Sequence, residues 1–437
     1  MGTSESPVTL RLPRKSIAVA SLLLFSTAVL AGISSRSLHA VMMHLVIITL
    51  ALIVARQLAL LVFAACDPRR APSLVTDTPL VSVIVPAYNE AQVIRSALAS
   101  VLTIDYPNLE IIVVDDGSTD ATSRRARALA GRTPERKVRV FSQANSGKGS
   151  ALNLGIEHAR GKFVLCVDAD SRLQPDAIRR GLSYFSDPAV AAVGGGVEVA
   201  NLRGPLALFQ QLEYMVCLNF TRRALSYFGA VTVIPGPIGL FRRDALVAVG
   251  GYDERRDMFA EDAELTVRLL SRGWRIKGDT SMIARTQVPQ DMFSLLRQRY
   301  RWKRGLFQAF DANVLPLLLL PGFRGFGITL FLGLECFLLD LLNFTVFVFF
   351  LTHVLAHWEL KPMLAAYALI IGMELAALLV ACRGKGFFRN AGLLLVQRIT
   401  YANILQAWGI LALLDEWRST RMDWDKLERM RGVEGAS

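Results

Sequence analysis

Long apolar runs flank a polar middle, and that arrangement restricts this chain's architecture more than any single motif does. The runs at 17–33, 41–65, 328–351 and 363–381 fall in the roughly 17–25 residue range that an α-helix needs to cross a bilayer. Arg11, Arg14 and Lys15 precede the first run, and Arg69 and Arg70 follow the second. A helical hairpin with both basic ends in the cytosol accounts for that pattern better than a cleaved leader. Arg56 interrupts the second run, so it either pairs within a helix bundle or lines a polar path through it. A further run at 392–414 carries Gln397, Arg398, Asn403 and Gln406, which makes it a channel-facing span or a partly interfacial helix. The stretch 307–321 is amphiphilic and bounded by proline, as an interfacial segment would be.

The apolar residues make up 52% of the chain, and the formal net charge is +12. Basic loops beside membrane segments and sites for anionic phosphates explain the charge. No aromatic-basic recognition pattern accompanies it, so nucleic acid is not an expected partner. The five cysteines form no Cys-x-x-Cys pair and the five histidines are dispersed. Neither a zinc centre nor a disulfide framework is expected.

Residues 71–303 are different material, with mixed charge and short apolar runs punctuated by Gly and Pro. Strands are predicted at 81–86, 109–114, 138–141 and 163–167, and helices at 92–102, from 120 and at 149–159. Strand-helix alternation with short turns predicts a three-layer α/β domain with a parallel sheet. The charge pattern places it in the cytosol. The chain then divides into a transmembrane hairpin (1–70), the α/β domain (71–303), an interfacial segment (304–326), a C-terminal transmembrane bundle (327–415) and a polar tail (416–437).

Three of the predicted strands end in acids. Pro86-Ala87-Tyr88-Asn89-Glu90 follows the first, Asp115-Asp116-Gly117-Ser118 the second, and Asp168-Ala169-Asp170 the fourth. In a parallel sheet these ends share one edge, where α/β folds collect ligands. Side chains two apart on a strand point the same way, so Asp168 and Asp170 can present hard oxygens to Mg²⁺ or Mn²⁺ carried by a diphosphate. Taken alone, either acidic pair could be a solvated turn. Ser146-Gly147-Lys148-Gly149 opens a helix and offers backbone, helix dipole and a cation to phosphate, or else simply starts the helix. Its spacing is not that of a Walker loop, so ATP hydrolysis is not supported. Pro235-Gly236-Pro237-Ile238-Gly239 reads as a loop that lets substrate approach the backbone, or as an ordinary turn. Glu261-Asp262 begins a helical run, where the N-terminus holds a carboxylate ionised and able to take a proton, or merely caps the helix. In Gln298-Arg299-Tyr300-Arg301-Trp302, residues Gln298, Arg301 and Trp302 share one helical face. That face offers an amide, a cation for diphosphate and a flat platform for a sugar. A basic helix lying on a membrane surface would have the same composition.

Asp-Asp-Gly, Asp-Ala-Asp, Glu-Asp and Gln-x-x-Arg-Trp, in this order between apolar flanks, resemble the membrane-embedded glycosyltransferase family 2 synthases. These include the chitin-oligosaccharide, poly-N-acetylglucosamine, hyaluronan and cellulose synthases. The resemblance implies a GT-A nucleotide-diphospho-sugar domain between transmembrane helices, an inverting UDP-sugar-dependent reaction and Mg²⁺ or Mn²⁺ as cofactor. It implies that Asp115 or Asp116 binds uracil with Ala87, Tyr88 and Glu90 nearby, that Lys148 and Arg301 contact the diphosphate, and that Asp168 supports the nucleotide. Asp170 would hold the metal and Asp262 would be the general base. Glu261, Gln298 and Trp302 would border the acceptor. The family usually carries Thr before its Glu-Asp pair, and here Ala260 stands there, which removes a hydroxyl but no catalytic group. Trp424, Lys426 and Arg429 resemble the basic gating segment of some members. Expected partners are a UDP-sugar (N-acetylglucosamine ahead of glucose), a growing β-linked polysaccharide passed across the plasma membrane, the bilayer, and accessory export subunits. Two rival readings are a single-sugar transferase using a polyprenyl-phosphate carrier and a transporter or receptor with a cytosolic regulatory domain. The second leaves the ordered acids without a purpose.

Overall fold

A computed structural model of the chain describes residues 27, 36–68, 78–130, 137–382 and 387–418. The expected span at 17–33, apart from residue 27, and the tail residues Trp424, Lys426 and Arg429 lie outside the described residues.

Helix α1 (Arg36–Cys66) leads into the α/β domain: β1 (Val81–Ala87), α2 (Ile94–Leu102), β2 (Leu109–Asp115), α3 (Thr122–Ala130), β3 (Lys137–Ser142), α4 (Lys148–His158) and β4 (Phe163–Cys166). These strands and helices match the predicted ones to within a residue or two. The chain continues through β5 (Arg172–Leu173), α5 (Ala177–Leu182), β6 (Val190–Val199), α6 (Gly204–Glu213), a wider π-type turn (Tyr214–Asn219) and α7 (Phe220–Tyr227). Then come β7 (Gly239–Arg242), α8 (Arg243–Ala248), α9 (Glu261–Ser271) and β8 (Arg275–Thr286).

One eight-stranded sheet has the order β3-β2-β1-β4-β7-β6-β8-β5. The half built from β1 to β4 is parallel, as the alternation predicted. The other half is mixed, because β7 runs antiparallel to both β4 and β6, and β5 antiparallel to β8. On β1, Val81, Val83 and Val85 face one core with α2 and α5, while Ile84 faces another with α4 and α9. That alternation buries both faces and accounts for the uninterrupted apolar strands.

Helix α10 (Met292–Leu318) leaves the domain and is followed by α11 (Phe323–Gly333), a π-type turn, α12 (Leu339–His357), α13 (Lys361–Cys382), α14 (Phe387–Ile399) and α15 (Tyr401–Trp417). The stretch 307–321 is therefore mostly the second half of a helix whose first half carries the Gln298–Trp302 motif. The run 392–414 is divided between α14 and α15, with Thr400 at the break. Among the described residues three helical stretches are long and apolar enough to cross a membrane: His39–Cys66, Phe323–His357 and Lys361–Ala381. Arg56, Glu335 and Glu374 within these stretches have charged partners. Arg56 Nε donates to Glu335 Oε1 at 2.6 Å, and Arg398 meets Glu374 at 3.2 Å. Opposite charges close together are the usual way such groups are tolerated at membrane depth.

Candidate active site

The parallel register sets the strand ends level. Ala87 pairs with Asp115, and Asp115 with Ser142. Asn89, at a left-handed φ of 52°, ties the first end to the second. Its side-chain oxygen accepts from the Thr119 N–H at 2.9 Å, and its own N–H donates to Ser118 Oγ at 2.9 Å. An Asn tolerates that backbone conformation better than most residues. Tyr88 sits half-buried on this loop, and Glu90 is buried with its N–H donating to Thr122 Oγ1 at 2.7 Å.

The two acids at the end of β2 have different partners. Asp116 Oδ1 accepts from Gln143 Nε2 at 2.7 Å and from the Ser146 N–H at 2.9 Å, while Oδ2 accepts from the Gly147 N–H at 2.9 Å. Asp116 thus pins the loop that opens α4. Asp115 Oδ1 accepts more weakly from the Ser118 N–H, at 3.3 Å.

Lys148, the first residue of α4, reaches across the sheet edge to two acids from distant parts of the chain. Its Nζ lies 2.7 Å from Asp168 Oδ1 and 3.0 Å from Glu261 Oε1. Burial disfavours its charge, but Asp168, Glu261 and Asp262 outweigh burial and hold its pKa well above the lysine norm. Burial works against Glu261 as well, yet Lys148 keeps that carboxyl below its usual range. For Asp168 burial prevails over Lys148 and the pKa is raised.

Asp262 sits in the first turn of α9, where Oδ1 accepts from the Ala263 N–H at 2.8 Å and Oδ2 from the Gly236 N–H at 3.2 Å. Burial, and next the Glu261 carboxylate, push its pKa up to about 6 against the pull of Lys148. Gly236 explains the Pro-Gly-Pro loop. A Cβ there would lie 2.7 Å from Lys148 Nζ and 3.0 Å from Asp168 Oδ2, so a larger residue would press on the Lys148–Asp168 pair and displace the lysine tip. Cys166 just below is buried and pushed to about 12 by that burial, which leaves it an inert thiol.

Asp170 stands beside this cluster. Its Oδ1 is 3.2 Å from Ser171 Oγ and 3.3 Å from Thr286 Oγ1 on β8. Among the described residues no three His, Cys, Asp or Glu side chains gather in a ready-made metal cage. Mg²⁺-type ions carried by a diphosphate do not need one, because one or two carboxylates plus phosphate and water complete the shell. Asp170, next to Asp168, fits that requirement.

A family model described as "Glycosyltransferase like family 2" matches residues 78–305, more than half of the chain. The chain belongs to this glycosyltransferase family. Its relatives include the poly-beta-1,6-N-acetyl-D-glucosamine synthase of Staphylococcus aureus, 34% identical over 228 residues, or 52% of this chain and 54% of that one. The enzyme of the same name from Staphylococcus epidermidis is 32% identical over 226 residues, again 52% and 54% of the two chains. The chain thus matches about half the length of these curated relatives. A solved mannosyltransferase from Pyrobaculum calidifontis, in complex with GDP-Man and Mn²⁺, superposes with a TM-score of 0.62. It is 23% identical and covers 86% of this chain and 99% of its own. That likeness supports the GT-A fold.

In this glycosyltransferase α10 brings the last motif to the acids. The fields of Glu261 and Asp262 reach Arg301, whose pKa burial nevertheless lowers. Gln298 Oε1 accepts from Arg299 Nη1. Trp302 packs beside Val197, Val199, Tyr214 and Val288, and the Arg299 guanidinium stacks 4.3 Å from its ring centroid. Arg299 is itself clamped by Glu213, with Nε to Oε1 at 3.0 Å and Nη2 to Oε2 at 2.7 Å, and Tyr401 of α15 donates to the same carboxylate. Sequence reasoning passed over Arg299, Glu213 and Tyr401. Only the cation adjacent to Trp302 offered a local signal. Ala260 lies against Gly305, where a Cβ would come within 2.4 Å of the Ala260 nitrogen, so α9 and α10 cross with backbones nearly touching.

Proposed function

We propose that this glycosyltransferase is an inverting membrane synthase that adds sugar from a UDP-sugar, N-acetylglucosamine first among candidates, to a β-linked polysaccharide. The observation that carries the reading is the meeting of the raised Asp262 carboxyl with Lys148, Asp168 and the Trp302-bearing helix at one sheet edge. The named activity of the two staphylococcal relatives supports the product class.

In this reading Asp115 meets uracil, because Asp116 is committed to the loop of α4, and Tyr88 and Glu90 border the nucleotide on the neighbouring strand end. Lys148 and Arg301 offset the charge that develops on the departing diphosphate. Trp302 offers its face to the acceptor sugar, with Gln298 and Glu261 beside it. Asp262 takes the proton from the acceptor hydroxyl as its oxygen attacks the anomeric carbon opposite the UDP. Asp170 with Asp168 would hold Mg²⁺ or Mn²⁺, which supplies charge stabilisation to the diphosphate. The α/β domain lies in the cytosol, the helices cross the plasma membrane several times, and the polymer passes through them, with accessory subunits on the export side.

The test supplies membranes containing the full chain with separately radiolabelled UDP-sugars and sizes the labelled product. Label from UDP-N-acetylglucosamine entering long, alkali-stable polymer is the expected result. Label confined to one sugar on a lipid-extractable carrier would replace this reading with the single-sugar transferase.

A further inference from the structure

Helix α9 opens on Ala260, whose methyl group cannot accept a hydrogen bond where a capping side chain would stand. The first turn, with Glu261 and Asp262 in it, therefore gains no hold from the position that most often supplies one. The chain just before it, residues 252–260, has no regular secondary structure. Its shape depends on side chains from other elements.

Helix α10 supplies the hold. Gln298, Arg301, Gly305 and Gln308 are spaced three and four apart and so form one stripe along it. Gly305 lies against Ala260, and the Arg304 guanidinium stacks 4.6 Å from the ring centroid of Phe259. One turn on, both ends of the Gln308 amide are spent on backbone. Oε1 accepts from the Phe259 N–H at 3.1 Å, and Nε2 donates to the Asp257 carbonyl at 3.0 Å. Phe259 is buried, so its N–H has to find a protein partner, and Gln308 is that partner. The same Nε2 lies 3.5 Å from Glu416 Oε1 on α15.

The other end of this segment rests on α4. Asn153 Oδ1 accepts from the Tyr252 N–H at 2.8 Å, and Nδ2 donates to the Tyr252 carbonyl at 2.9 Å. The Asp253 carbonyl stands where a Cβ on Gly149 would go, and Arg256 Nη2 donates to the Asn145 carbonyl at 2.8 Å. Residues 252–260 thus run from the loop of Lys148 to α10, and Gln308 clamps the end that adjoins Asp262.

We propose that Gln308 is a positioning residue for proton transfer: by bracketing 257–259 it sets the Asp262 carboxylate against the stripe of α10 that carries Gln298 and Arg301. The proposal rests on Asp262 being the base. A base displaced by about 1 Å can lose on the order of a hundredfold in rate, and a one-turn bracket is the right scale to prevent that.

The experiment uses the full chain in detergent with UDP-N-acetylglucosamine as donor. Gln308→Met keeps the bulk and loses both bonds. Gln308→Glu keeps the acceptor for Phe259 but sets an oxygen against the Asp257 carbonyl. Both should lower kcat by about tenfold to a hundredfold while donor KM and UDP affinity stay within about twofold. Both should also speed amide deuterium exchange across 257–263. Normal kcat in Gln308→Met, UDP affinity falling as far as kcat in both variants, or rapid exchange of the Phe259 amide in the unsubstituted chain would overturn the proposal. Asp262→Asn assayed alongside separates the two readings. Turnover retained there refutes the base itself, whereas turnover lost there and normal in Gln308→Met refutes only the positioning.

Discussion

Asp262 is the residue whose environment and task pull in opposite directions. Its folded pKa of about 6 lies above the ordinary 3.8, so the fold favours its protonated form while the role proposed for it needs it ionised. The stabilising protonation is complete below about pH 4 and lost as pH rises through 6. Asp262→Asn should therefore raise the unfolding temperature at pH 8 and lower kcat by about 10²–10⁴, with UDP affinity nearly unchanged. Calorimetric melting and a UDP titration on one preparation check both halves. In the unsubstituted enzyme kcat/KM should fall on the acid side with a limb near pH 6, since that ratio reports the free enzyme. Most of this cluster was legible in the sequence because acids and glycines at strand ends are local signals. Glu213 and Tyr401 were not, since their partner Arg299 lies 86 residues from one and 102 from the other.

Among the elements, α10 carries the Gln298–Trp302 motif and depends on others for its position. Glu213 at the end of α6 holds Arg299 in a fork, and Arg299 holds Trp302 by stacking. Arg299 is 9% exposed, and removing one partner of a buried pair costs on the order of 3–5 kcal/mol. Glu213→Gln keeps shape and one hydrogen bond, so it should cost less in stability. It should raise the acceptor KM more than it alters donor KM, which initial-rate kinetics with an oligosaccharide acceptor would separate. The first four strands were readable because burial on both faces demands unbroken Val, Ile and Leu. Strands β6 to β8 were not. Gly194, Gly195 and Gly196 weaken the pattern of β6, and β8 carries Lys277, Asp279 and Arg285 through a strand only partly covered. The antiparallel β7 has four residues, too few to show a period.

For the molecule as a whole, apolar run length disclosed the three candidate spans, while the joint between α15 and the helix that leaves the α/β domain was hidden in scattered charges. Arg304 Nε meets Glu416 at 2.6 Å, Tyr300 donates to Asp415 at 2.8 Å, and the Trp408 indole donates to the Leu296 carbonyl at 2.7 Å. Arg304 is only 4% exposed. Glu416→Ala should accordingly lower stability by about 3 kcal/mol or more, measured as a fall in melting temperature in detergent with the far-ultraviolet helix signal retained below it. The joint has a practical result. A single rod, α10, presents its Gln298–Trp302 motif to the acids and is bolted to α15 within the same few turns. Swelling the bundle with a harsh short-chain surfactant should silence turnover at concentrations that leave the eight-stranded sheet intact, and returning the protein to lipid should revive it.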